Sequence, residues 1–250
     1  MSRLPHPPRD RSGPSARSPL TAPAALIVAA LVALGLLAAG CGSSSPKVSA
    51  TTLLQKAKAT ADAASAVHFV LTSSGVSLSG TNLVNGEGDL ARPSSMKGTF
   101  GVAISGFTAN VKVVSVGGTF EAELPFTGHY SKTDPASFGL KDPAVLLDPH
   151  QGLTSLLTLA HSPTLGKSER QAGELLDTLS YTIPGSAVPV IPDVNPSKPV
   201  QLTVAINPTN YQLRTVTLVG PFTSATSNST YVVTLSNYNE HVKITLPSAS

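Results

Sequence analysis

Apolar and polar residues alternate along several short segments of this chain, and that pattern constrains the fold more than any other feature. A period of two places one face of a strand against a core and the other face in water, which is typical of an antiparallel sheet. The chain is therefore expected to build its core mainly from strands. The alternating positions are Phe100, Val102 and Ile104, then Ala109, Val111 and Val113, then Phe120, Ala122, Leu124 and Phe126.

Turn-forming residues separate the predicted strands. Asn85-Gly86 predicts a two-residue hairpin turn, because both residues tolerate the positive φ angles of that turn. Gly117-Gly118 and the segment 207–210 predict further turns. Additional strands are expected over residues 67–74, 202–206, 211–219, 230–235 and 242–246.

Helical spacing appears at the start of the body and again in its middle. Thr52 and Gln55 fit a capping box ahead of apolar residues spaced as on one helix face. A second helical region follows the proline-bracketed segment 142–149, and the proline-rich segment 181–199 is expected to be extended or looped, on an edge or surface path. No linker divides the chain, so the sequence predicts a single α+β domain.

The distribution of charge argues against a nucleic-acid partner. Charged residues make up only 12% of the chain, and the formal net charge is +3. The first forty residues hold four arginines against one aspartate, whereas the chain from Cys41 on holds thirteen basic and thirteen acidic residues. A neutral body without a basic stripe does not match what phosphate binding requires.

The N-terminus has the layout of an export signal. An arginine-bearing polar segment precedes the uncharged run 24–40, which is shorter than the ~20 residues that a membrane-spanning helix needs. The sole cysteine of the chain, Cys41, follows directly after Leu37-Ala38-Ala39-Gly40. This segment resembles a bacterial lipobox, in which the thiol is acylated and the signal is cut before it. An unmodified or dimer-forming thiol is the alternative.

The expected organisation therefore has three parts. Residues 1–40 form the signal peptide, residues 41–48 the lipidated cysteine with a flexible tether, and residues 49–247 the folded domain. Acylation of Cys41 would hold the protein on the extracytoplasmic face of the cell membrane.

Three segments together resemble one protein family. They are residues 66–72, residues 142–153 and residues 231–242. They are similar to the LppX/LprAFG lipoproteins of mycobacteria and related actinobacteria, most of all to the LprG branch, over nearly the whole mature chain.

This resemblance implies a curved antiparallel half-barrel sheet, covered on its concave side by helices, as in the LolA and LolB carriers. It also implies an apolar cavity for acyl chains. Family members carry lipids or glycolipids from the inner membrane toward the cell envelope, and some work beside a membrane efflux transporter. Combined with strand parity, the resemblance predicts these cavity-facing residues: Phe100, Val102, Ile104, Val111, Val113, Phe120, Ala122, Leu124, Leu153, Leu156 and Leu157.

Two other classes of function stay open beside the carrier. A surface ester hydrolase has little support, because the sequence shows no Gly-x-Ser-x-Gly motif and its histidines are scattered. Asp142 and Asp148 both precede proline and are interpreted as turn caps rather than as a catalytic pair. A scaffold or adhesion lipoprotein with a filled core is the second alternative. The sequence predicts no catalytic residue, no metal and no cofactor.

Overall fold

A computed structural model describes residues 48–138, 141–188 and 195–247. The folded elements belong to one compact unit that begins at Val48. The predicted signal peptide, Cys41 and the tether up to residue 47 lie outside the described residues. Among the helices that are described, none has the length and apolarity needed to cross a bilayer.

The unit contains one α-helix and twelve strands among its described residues. Helix α1 is Ala50–Ala63. The strands are β1 (Ala66–Ser74), β2 (Thr81–Ala91), β3 (Ser95–Ile104), β4 (Phe107–Val116), β5 (Thr119–Glu123), β6 (Ser131–Lys132), β7 (Thr164–Leu165), β8 (Glu169–Gln171), β9 (Glu174–Pro184), β10 (Pro199–Ile206), β11 (Leu213–Gly220) and β12 (Ser229–Ser236). Short 3₁₀ helices occupy Pro135–Phe138, Pro143–Leu147, Leu153–Leu159 and Gly185–Ala187.

The strands form one open sheet in the order β6-β5-β4-β3-β2-β1-β12-β11-β10-β9-β7, with β8 paired to β9. Every pairing is antiparallel, and the central pair joins β1 to β12, which are distant in sequence. Helix α1 and the two middle 3₁₀ helices cover the concave face, which carries most of the core. The predicted fold class, a curved antiparallel half-barrel with a helical cover in a single α+β domain, is confirmed.

Helix α1 begins earlier than the capping-box pattern indicates. Its N-cap is Ser49, whose side chain accepts a hydrogen bond from the Thr52 backbone N–H at 3.1 Å. Thr52 is therefore the third helical residue, and its hydroxyl bonds to the Ser49 hydroxyl at 2.8 Å. The capping prediction is wrong by one helical turn: both Ser49 and Thr52 can cap a helix, and the N-cap is Ser49.

The hairpin turn predicted at Asn85-Gly86 does not exist. Both residues lie within β2, where the register to β3 shifts between Leu83 and Asn85. A Cβ on Gly86 would lie 2.5 Å from Cδ1 of Phe100, so the glycine serves to admit that ring. The other predicted glycine turn, at Gly117-Gly118, joins β4 to β5 with positive φ angles at both residues.

Two further expectations concern the segments 181–199 and 242–246. Tyr181–Pro184 completes β9 rather than looping out. β9 lies beside the two-residue edge strand β7, so the extended alternative at the sheet edge describes these four residues, and the terminal proline is tolerated there. Residues 242–246 form no strand, because positive φ angles at Asn237 and Asn239 turn the chain away after β12. β12 already pairs with β1 on one side and with β11 on the other, so it offers no free edge to residues 242–246.

Candidate functional site

An apolar hollow lies between the concave face of the sheet and its helical cover. We call it the larger hollow. The volume open to the centres of water-sized groups is about 50 Å³. The total volume between its atoms, including solvent at its open side, is about 560 Å³. Its lining is Phe69, Leu71, Leu83, Phe100, Pro143, Leu146, Leu153, Leu156, Val188, Leu218, Tyr231 and Val233.

The polar groups next to the larger hollow are satisfied, which leaves it with a dry lining. The hydroxyl of Tyr231 donates to the backbone carbonyl of Leu83 at 2.8 Å. Its ring packs edge-on against Phe222, with centroids 5.3 Å apart. Among the described residues, no buried side-chain nitrogen or oxygen lacks a partner. Apolar cavities of this kind stay empty of water and accept apolar ligands.

A second hollow, of about 20 Å³, continues the same interior toward Ala61, Leu90 and Tyr238. We call it the smaller hollow. Four side chains line both spaces and separate them, and we call these the partition: Phe69, Leu146, Leu153 and Val233. Two of them belong to the sheet and two to the cover.

Polar contacts fasten the cover at its margins. Asp142 accepts a hydrogen bond from the Ala144 backbone N–H at 2.9 Å and another from the fully buried hydroxyl of Ser115 at 2.9 Å. On the other side, the hydroxyl of Thr154 donates to Asp62 of α1 at 2.7 Å. Lys58 donates to Asp62 at 2.8 Å and to the carbonyl of Pro149. Between these attachments the cover rests on apolar side chains.

Asp148 also acts as a turn cap. Its carboxylate accepts hydrogen bonds from the backbone N–H groups of His150 and Gln151, both at 2.8 Å. These bonds stabilise the charged form and lower the pKa of Asp148. The interpretation of both middle aspartates as turn caps therefore agrees with the structure.

The sequence matches the family model described as LppX_LprAFG lipoprotein over residues 49–244. The chain belongs to the LppX/LprAFG lipoprotein family. This is a family of lipid-binding lipoproteins. A comparison with curated protein sequences gave no match.

Two solved structures from the same LppX/LprAFG family share the fold. LprF from Mycobacterium bovis is 19% identical, with a TM-score of 0.63, and the alignment covers 80% of this chain and 97% of that one. LppX from Mycobacterium tuberculosis is 18% identical, with a TM-score of 0.58 and coverage of 79% and 100%. At this identity the similarity establishes the architecture alone.

Three of the eleven predicted cavity residues line the larger hollow of this LppX/LprAFG chain: Phe100, Leu153 and Leu156. Six others are buried in the surrounding core without lining it, namely Val102, Val111, Val113, Phe120, Ala122 and Leu157. Leu153 and Leu157 belong to the 3₁₀ cover, and Leu153 is also part of the partition.

Ile104 and Leu124 do not face the interior. Ile104 is 42% exposed at the last position of β3, and Leu124 is 37% exposed just beyond the end of β5. Strand parity holds only while a strand stays beneath the cover, and both side chains lie past that limit. Their assignment to the cavity is therefore corrected.

The sequence reasoning missed the central strands as the main wall of the hollow. Phe69 and Leu71 on β1 lie next to Tyr231 and Val233 on β12. All four alternate along their strands, so the signal was present. Nothing in the sequence indicated that the two distant strands pair at the centre of the sheet.

The described residues bring together no group of three or more His, Cys, Asp or Glu side chains that could hold a metal ion. His68 and Asp89 form a pair at 2.8 Å, and both are partly exposed at neighbouring positions of β1 and β2.

Proposed function

We propose that this protein is a membrane-anchored carrier that takes the acyl chains of a lipid or glycolipid into the larger hollow and moves them from the inner membrane toward the cell envelope. The observation that carries the proposal is the dry apolar hollow between sheet and cover. Membership in the LppX/LprAFG family supports it.

The physical need for such a hollow is large. Moving an acyl chain from a bilayer into water costs about 0.8 kcal/mol for each methylene group. A dry protein interior replaces the bilayer environment and removes most of that cost. Affinity then comes from apolar area, while the polar headgroup can remain outside.

The hollow must widen when it is loaded. Its space of about 50 Å³ for the centres of water-sized groups accepts only a short part of an acyl chain, and the smaller hollow adds about 20 Å³. Displacing Leu146 and Leu153, which lie on the cover, would open the partition without breaking any strand pairing. We infer that the middle of the cover lifts to make room for the cargo.

Anchoring at Cys41 is part of the same proposal. Two acyl chains on that thiol would hold the carrier at the extracytoplasmic face of the membrane, because a single chain binds only marginally. A short tether then raises the effective concentration of the carrier at its loading site. A membrane efflux transporter is the partner expected to load it.

Val233 offers a direct test because it lies on the partition. Val233→Trp fills the space where the two hollows meet, whereas Val232→Trp makes the same change at the neighbouring position, whose side chain points to the opposite face of β12. The chain from Gly42 on, produced without acylation in an actinobacterial host, is examined by native mass spectrometry and organic extraction. We expect stoichiometric acylated lipid with the parent chain and with Val232→Trp, and none with Val233→Trp.

Several results would contradict the carrier. A clean protein mass for the parent chain favours the scaffold, and ester hydrolysis by that chain favours the hydrolase. Lipid retained equally by Val233→Trp places the ligand elsewhere. If Val233→Trp fails to fold, as judged by circular dichroism, the smaller change Val233→Phe serves the same purpose.

A further inference from the structure

Three connections meet at one end of the sheet and form a continuous surface. They are residues 75–80 between β1 and β2, residues 105–106 between β3 and β4, and residues 221–228 between β11 and β12. We call this the loop end. Ser105 and Gly106 donate backbone hydrogen bonds to the first connection, at 3.1 and 2.9 Å.

The third connection is joined to the first in the same way. The backbone N–H of Ser77 donates to the hydroxyl of Thr223 at 3.1 Å, and the hydroxyl of Ser229 donates to the carbonyl of Gly75 at 3.0 Å. The three connections are thus held together by hydrogen bonds rather than projecting separately into solvent.

Large apolar side chains are exposed at this end. Phe107 is 80% exposed, Leu78 is 47% exposed and Ile104 is 42% exposed. We call these three residues the apolar tip. Ile104 and Phe107 face each other across the β3–β4 turn, and the carbonyl of Leu78 accepts the hydrogen bond from Gly106. The tip is therefore a cluster at one point of the surface.

The segments that form the loop end carry no charge. Residues 69–86, 98–111 and 215–239 contain no Asp, Glu, Lys, Arg or His, although the whole chain is 12% charged. The opposite end of the sheet is different, since Glu174 and Arg214 form a bidentate ion pair there. Lys198, exposed on the connection that leads to β10, adds one positive charge near the loop end.

We propose that the loop end docks on the surface of a phospholipid bilayer, with the apolar tip inserted below the headgroups. An exposed phenylalanine at a protruding turn, among serine, threonine and asparagine side chains, suits the boundary between headgroups and acyl chains. The tip consists of three side chains, too few for a stable protein interface. Without clustered charge, the surface matches zwitterionic rather than strongly anionic lipid.

The loop end lies close to the larger hollow, which relates membrane docking to lipid carriage. Leu83 and Leu218 line the larger hollow, and each lies within three residues of a loop-end connection. A bilayer against the loop end would let an acyl chain pass between membrane and hollow with little exposure to water. This inference extends the proposed function, yet docking can be measured without any cargo.

The absence of tryptophan from the chain allows a clean optical test. Phe107→Trp places one reporter on the tip, and Leu175→Trp places one on β9, beside Glu174, where the native leucine is 50% exposed. Both are made in the chain from Gly42 on, which contains every described element. With phosphatidylcholine vesicles, we expect a blue-shifted emission that brominated lipid quenches for Phe107→Trp alone.

A matched pair of leucines measures the strength of docking. Leu78→Asp and Leu175→Asp remove the same side chain at almost equal exposure, 47% and 50%. Vesicle flotation should show a partition coefficient about tenfold lower for Leu78→Asp, as when one large apolar side chain stays in water. Leu175→Asp should match the parent chain.

The contrary outcomes are equally definite. An unchanged emission of Phe107→Trp, or equal losses in the two aspartate variants, overturns the docking surface. Binding to membranes that contain protein, but not to pure lipid vesicles, would assign the tip to a protein partner and also overturns it. The Val233→Trp variant should still dock, so failure of docking and failure of carriage are read separately.

Discussion

The buried hydroxyl of Ser115 on β4 donates a hydrogen bond to the carboxylate of Asp142 at 2.9 Å, and this bond fastens the cover to the sheet. The other oxygen of the same carboxylate caps the 3₁₀ helix Pro143–Leu147. One side chain therefore starts the cover segment and positions it over the concave face. Leu146, four residues later, lies on the partition between the two hollows.

Removing that carboxylate should loosen the cover. Asp142→Ala loses the cap and leaves the Ser115 hydroxyl buried without its acceptor, so we expect a loss of about 2 kcal/mol in the free energy of unfolding. Urea unfolding followed by circular dichroism measures it. Asp134→Ala is the control, because Asp134 also precedes a proline and caps a short 3₁₀ helix but is exposed. Equal losses in the two variants would show that the bond to Ser115 contributes nothing.

Gly86 should be intolerant of any side chain. A Cβ there would lie 2.5 Å from the ring of Phe100, which stacks on Phe69 with centroids 5.9 Å apart. Gly86→Ala therefore displaces a ring from the wall of the larger hollow, at an expected cost of about 1–3 kcal/mol. Thermal unfolding of Gly86→Ala, Phe100→Leu and the double variant tests this. If the ring is the obstacle, Gly86→Ala costs much less in the Phe100→Leu background.

These residues show where sequence reasoning works and where it stops. The alternation at Phe120 and Ala122 and the glycine pair 117–118 act locally, so they predict a strand and a turn that the structure contains. Asn85-Gly86 carries an equally strong local signal for a turn. At that position a glycine is required because the ring of Phe100, on the neighbouring strand, occupies the space of a Cβ. Such cross-strand contacts cannot be predicted from the order of residues.

The hollow was harder to predict than the fold for the same reason. Strand parity correctly identifies Phe100, Val102, Val111, Val113, Phe120 and Ala122 as buried, but it fails at Ile104 and does not identify the buried Val114. Among the residues of β3, β4 and β5, only Phe100 reaches the hollow. The remaining wall depends on the pairing of β1 with β12, some 160 residues apart along the chain. A family resemblance supplied the half-barrel, whereas the position of the space within it followed from the packing.

The ion pair between Glu174 and Arg214 should make a small, pH-dependent contribution to stability. Two bonds of 2.7 Å to the guanidinium lower the pKa of Glu174. A lowered carboxyl pKa means that the contribution is present above the unfolded-state value and is lost as the pH falls through the folded-state value. Because this glutamate is partly exposed, we expect only about 0.5 kcal/mol.

Glu174→Gln tests that contribution. The stability gap between Glu174→Gln and the parent chain should be present at neutral pH and should close between about pH 5 and pH 3. Glu169→Gln, at an exposed position of the adjacent strand β8, serves as the control and should show no such gap. A gap that is independent of pH would mean that the carboxylate acts by packing rather than by charge.

Acylation in a lipobox requires a thiol at the position of Cys41, not merely a thiol near the N-terminus of the mature chain. If the thiol is acylated in a lipobox, Cys41→Ser should abolish the acyl addition and leave the signal uncut in an actinobacterial host, because the signal is cut only before the acylated cysteine. The double variant Cys41→Ser/Ser44→Cys restores a single thiol three residues later and should also lack acylation and keep its signal. Intact mass, compared with the acylated and cut parent chain, measures both outcomes. If the thiol instead forms an intermolecular disulfide, the double variant would keep its dimer on non-reducing gels, and the parent chain would show a dimer mass without any acyl addition.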